Sequence, residues 1–160
     1  MLPPDLQLEN PLWDYALKVY PTLAPALLTL QTQGARVNQL LAALWSSANG
    51  RQWPGQVDPS IERWHQSQVL PIRERRMALK PELEAHPELE PLYKAFKTAE
   101  LNLERIELAM LYTWLLRSAR SKPVSAQINI DLVLRFNQVD QSSPARSELL
   151  ALVEQLEGTN

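Results

Sequence analysis

Leu92, Phe96, Ala99, Leu103, Ile106, Met110 and Thr113 recur at alternating steps of four and three. That spacing keeps them on one face of a helix with 3.6 residues per turn. Between Pro91 and Pro123 neither proline nor glycine interrupts the chain. The pattern predicts one long helix, about residues 87–120, with those seven residues against the core.

The N-terminal part is punctuated more closely. Asn10 before Pro11 reads as a helix cap followed by a favourable first residue. Leu12, Trp13, Ala16 and Leu17 are available for burial behind it. Pro21 disfavours helical geometry at Tyr20, so this helix is expected to end there and a second to run from about Thr22 to Gly34. Val37, Leu40, Leu41, Leu44 and Trp45 then form the apolar face of a third helix that stops at Asn49 and Gly50. The second and third helices are expected to make an antiparallel hairpin. Asp58 and Pro59 repeat the cap signal after a loop, and Pro71 predicts a kink or break near residues 69–71.

The last quarter is ambiguous in period. Val124, Ala126, Ile128, Ile130, Leu132, Leu134 and Phe136 alternate as a strand would, while Val124, Ile128, Leu132 and Phe136 also fit a helix. Helix is preferred because no second strand lies nearby to pair with a lone one. A final helix from Pro144 to about Leu156 presents Leu149, Leu152, Val153 and Leu156. The expected architecture is all-α: a single domain over residues 1–157, with six or seven helices around the long one, and frayed residues 158–160.

Length permits a real core, since a domain near 150 residues buries roughly 70% of its unfolded surface. With no cysteine, disulfides and thiolate chemistry are excluded. The first ten residues lack a basic start and an apolar run, and no stretch is long enough to span a membrane, so a cytoplasmic protein is expected. A net charge of -2 disfavours general nucleic-acid binding. The charge is uneven, however: residues 62–80 sum to +3 and residues 81–107 to -4, which predicts pairing between neighbouring helices.

Three segments then identify a likeness: NPLWDYALKVY, LLTLQTQGARVNQLLAALW, and a tryptophan followed by VLPIRERRMALK. Together, over about Leu8 to Arg117, they resemble a group of small, mostly proteobacterial proteins known only as a conserved domain of unknown function. The resemblance implies a helical fold and a bacterial cytoplasmic setting. It lends no catalytic residue, substrate or cofactor.

Candidate chemistry is sparse. Glu62 and His65 give a single Glu-x-x-His step, whereas di-iron bundles need two copies and further carboxylates, so no metal or cofactor is expected. His65 and His86 are expected to face solvent. The four glycines fit no phosphate-binding fingerprint, and no G-x-S-x-G turn is present. An enzyme with an unrecognised site stays an alternative, because triads are defined in space. Trp53 lies in a polar loop and either closes over the core or meets a partner; with Arg63, Arg75 and Lys80 it forms the candidate binding set.

A second set is expected to be architectural. Gln31 and Asn38 sit among core leucines and need hydrogen-bond partners if buried. On a helix after Pro71, Arg73 or Arg76 must lie against the core, and arginine is rarely buried unpaired. The nearest carboxylates are Glu100, Glu104 and Glu107, so a partly buried salt bridge from Arg73 or Arg76 to one of these glutamates is expected. The functional expectation is an interaction or regulatory protein that binds a protein partner. Anionic-ligand or nucleic-acid binding through the basic 73–80 segment is the alternative.

Overall fold

Asn10 opens the first helix by accepting a hydrogen bond from the Trp13 amide at 2.8 Å, and Pro11 takes the first helical position. In the computed structural model, which describes residues 2–158, the chain is all-α and forms one domain. The helices are α1 (Pro11–Thr32), α2 (Val37–Ala48), α3 (Pro59–Trp64), α4 (Leu70–Leu79), α5 (Glu90–Ser118), α6 (Ala126–Phe136) and α7 (Pro144–Gly158). Two-residue strands, β1 (Arg51–Gln52) and β2 (Arg120–Ser121), pair antiparallel with Arg51 opposite Ser121. Gly158, expected to fray, is the last residue of α7; residues 159 and 160 lie outside the described residues.

The expected break at Tyr20 does not occur: α1 runs through both Pro21 and Pro25. Both prolines lie on its exposed side, where the carbonyls they leave unpaired can turn towards water. Leu12, Ala16, Val19, Leu23, Ala26, Leu27 and Leu30 line the opposite side and are buried. Continuous apolar packing along that face outweighs the proline penalty. At Gly34 the backbone takes φ of 107°, which ends the helix as expected and turns the chain into α2.

Pro71 likewise does not break its helix. Residues His65–Val69 form a π turn between α3 and α4, and the Leu70 amide bonds to the His65 carbonyl five residues back. The wider turn takes up the proline ring's demand for space and joins α3 to α4 with no non-helical residue between them. Val69 and His65 point inward from this turn, at 0% and 4% exposure.

Two expected faces are rotated. On α5, Met110 and Thr113 are buried as expected, but Leu92 is exposed and Leu103 and Ile106 are only half-buried, while Glu100, Glu107, Leu108, Leu111 and Leu115 are buried. Ahead of Met110 the inward face therefore lies about 100°, one helical residue, from the apolar stripe. Carboxylates can occupy it because α2, α4 and the π turn supply their hydrogen-bond donors. On α6 the helical reading holds, but Asn129, Ile130, Val133 and Leu134 face inward, and Ile128 and Phe136 are exposed. Ser125 caps this helix.

The apolar core is built from α1, α2, α6, α7 and the C-terminal half of α5. The N-terminal half of α5 extends beyond it and pairs with α4, on which no residue is buried.

Candidate functional site

Charge pairing holds that extension in place. From α4, Arg73 donates through Nε to Glu100 Oε1 at 2.9 Å and through Nη2 to Glu104 Oε1 at 2.6 Å. Arg76 donates through Nε to the other Glu100 oxygen. Gln31, with its amide oxygen turned towards the guanidinium, accepts from Arg73 Nη1 at 2.7 Å. The neighbours split the two glutamates electrostatically. Burial pushes the Glu100 carboxyl upward, but the bonds from Arg76 and Arg73 bring it below the usual range. Burial and the repulsion of Glu100 and Glu107 raise Glu104 despite its contact with Arg73.

A second polar group lies one turn further along α5. Glu107 is buried, receives Asn38 Nδ2 on one oxygen, and has His65 Nδ1 at 2.8 Å from the other. Since a carboxylate only accepts, Nδ1 carries the proton in this pair. His65 Nε2 is buried with no partner. A cavity of about 120 Å³ borders His65, Asn38, Arg73, Glu104 and Glu107, so the two polar groups share one interior space.

On the other side of the same wall is a groove between α1 and α5. Leu17, Tyr20, Leu28 and Leu101 line it and are exposed, and Arg73, Arg76, Glu100 and Glu104 form its charged wall. Its volume is about 350 Å³. Burial raises the pKa of the Tyr20 phenol, as does the negative charge of Glu104. A largely apolar concavity with a few fixed polar groups is the usual chemistry of a recognition site.

The expected residues are distributed unevenly around this site. Gln31, Asn38, Arg73, Arg76, Glu100, Glu104 and Glu107 come together. Arg73 meets Glu100 and Glu104 and Arg76 meets Glu100, while Glu107 meets His65 and Asn38. Arg63, Arg75 and Lys80 remain exposed and outside both cavities.

Trp53 is not available to a partner. It is 2% exposed, stacks edge-on against Trp114 at 5.1 Å, and donates from its ring to the Gly55 carbonyl at 2.8 Å. Its amide is held by Asn129 Oδ1 at 2.8 Å. It closes over the core because α6 supplies the acceptor that its loop lacks.

His65 is the other correction. Its spacing of four from both Ile61 and Val69 places it on a buried stripe, and this signal was present in the sequence. His86 is exposed as expected. Among the described residues, no three His, Cys, Asp or Glu side chains converge as metal ligands. Nor is any described helix long and apolar enough to cross a membrane.

These features define an all-α domain with a charged wall dividing an apolar groove from a small polar cavity. Residues 11–111 match the family described as a protein of unknown function, DUF2390, and the chain belongs to that family. No curated protein and no solved structure matches it. The groove lies wholly within the matched residues, whereas α6 and α7 lie beyond them.

Proposed function

We propose that this chain is an interaction protein, with a regulatory role in the bacterial cytoplasm, that holds a segment of a protein partner in the groove between α1 and α5. The observation that supports this most is the concentration of exposed Leu17, Tyr20, Leu28 and Leu101 around one concavity. Large apolar side chains gathered in one patch, unlike scattered ones, mark a surface suited to association. Arg73 and Glu100 give that surface a wall fixed by ion pairs, so little ordering entropy is spent there on binding.

The test is affinity purification from the native host with mass spectrometry, comparing wild type with Leu17→Gln and Leu101→Gln. Both positions are exposed, so the fold should tolerate the changes. The expected result is a protein retained by wild type and lost from both variants. Retention of the same proteins by all three overturns the reading.

The exposure of Arg63, Arg75 and Lys80 supports a second reading, in which an anionic ligand or nucleic acid binds the outer surface. That reading expects binding weakened by salt and lost when the three become alanine, with Leu101→Gln unaffected.

A further inference from the structure

Two carboxylates of the charged wall, Glu100 and Glu104, share the guanidiniums of Arg73 and Arg76, and a third, Glu107, lies behind them on the inner cavity. Two neutral amides, one a donor and one an acceptor, complete the set. Asn38 serves Glu107, and Gln31 is turned to Arg73. His65 Nδ1 lies 2.8 Å from a Glu107 oxygen, and its buried Nε2 has no partner. Arg36, which also borders the inner cavity, is occupied by Glu62 at 2.6 Å. Tyr20 faces the wall from α1 as a neutral phenol. The guanidiniums are therefore divided unequally, and one glutamate is left short of donors.

The shortage falls on Glu104. Glu100 receives both arginines, and Glu107 is bonded on each of its oxygens. Glu104 has one arginine nitrogen, which comes from a guanidinium already shared with Glu100. It is also the glutamate that lines both the groove and the inner cavity without being fully buried, with 29% of its side chain exposed. Its raised pKa agrees with an undercompensated charge.

We propose that the partner segment seated in this groove is basic and amphipathic, its apolar side chains on Leu17, Tyr20, Leu28 and Leu101 and a lysine or arginine head on Glu104. The inference rests on the groove reading given above. A long basic side chain suits the place because its methylene stem lies along apolar surface while its charged end reaches the carboxylate. An acidic segment would instead meet Glu100 and Glu104 with no free guanidinium to receive it, which penalises the wrong partner.

The probes are three fluorescein-labelled amphipathic peptides of equal length, built from Leu and Lys, Leu and Gln, or Leu and Glu, followed by fluorescence anisotropy. On wild type the Leu/Lys peptide should bind about tenfold or more tightly than Leu/Gln, and Leu/Glu most weakly. The Lys advantage should collapse in Glu104→Gln and persist in Glu154→Gln, an exposed carboxylate on α7. Equal binding of Leu/Lys and Leu/Gln to wild type overturns the proposal without any variant. So does an equal loss in Glu104→Gln and Glu154→Gln, or a preference for Leu/Glu. Failure of the groove reading is separable: Leu17→Gln and Leu101→Gln would then leave Leu/Lys binding unchanged.

Discussion

The two halves of the molecule are held by different physics. Around the C-terminal half of α5, Leu12 and Leu27 of α1, Leu40 and Leu44 of α2 and Leu149 of α7 are removed from water almost completely. Such burial is strong and non-directional, so it tolerates changes that conserve volume. Against the N-terminal half of α5, α4 buries nothing and is positioned by Arg73 and Arg76 on Glu100 and Glu104. Ion pairs contribute less than apolar burial but fix geometry. The core gives the protein its stability, and the paired extension gives its groove a defined wall.

The contrast can be broken most forcefully from the core side. Leu111→Ala should lower unfolding free energy by about 2–5 kcal/mol in urea denaturation, because Leu111 is wholly buried. Leu103→Ala and Ile106→Ala should cost clearly less, since both are half-buried. Equal losses would place the inward face of α5 elsewhere. Next in size is Glu100→Gln, which weakens both arginine contacts at once. A loss of about 1–3 kcal/mol is expected, below that of a fully buried pair because 20% of the Arg76 side chain stays in solvent. Hydrogen exchange should rise in α4 and remain slow in α2; uniform acceleration would refute a separately held extension.

A subtler separation comes from pH. Glu104 has a raised folded pKa, so its native carboxyl binds a proton more tightly than the unfolded one, and stability falls as pH rises through that window above about 4.3. Glu100, with a lowered folded pKa, contributes stability above about 4.3 that is lost as pH falls through its folded value. Thermal melts between about pH 4 and 7 should therefore shift in favour of Glu104→Gln over wild type as pH rises. For Glu100→Gln the shift should run the other way, in melts carried below about pH 4.3, where wild type loses the contribution of Glu100. Parallel curves would remove the distinction between the two glutamates. The smallest effect is expected from Arg75→Ala, which should stay within about 0.5 kcal/mol because the residue is exposed.

Local chemistry was legible in the sequence wherever one residue type serves one backbone need. Asn10 and Asp58 cap helices, and Gly34 ends one through its positive φ. Helix class was legible too, as was the meeting of a basic with an acidic segment. What remained hidden depended on neighbours distant in sequence. Pro21 and Pro25 are tolerated only because the opposite face of α1 packs continuously, and Pro71 because a π turn precedes it. Ahead of Met110 the inward face of α5 was misread because glutamates score as solvent-facing until their donors on α2, α4 and the π turn are known. Asn129 is a similar case: its value lies in binding the backbone of Trp53, Arg51 and Ala43, all far from it in the chain.

The packing of α1 on α7 has a consequence for how the protein is made. The apolar side of α1, from Leu12 to Leu30, leaves the ribosome early, while Ala145, Leu149 and Val153 follow only after most of the chain has been synthesised. Contacts closed over so long a separation form late and slowly. Until Pro144 and the residues after it emerge, the stretch of α1 that α7 covers stays open, with α2 and α5 packed beside it. The protein's maturation therefore depends on the cell keeping that surface from aggregating during the wait.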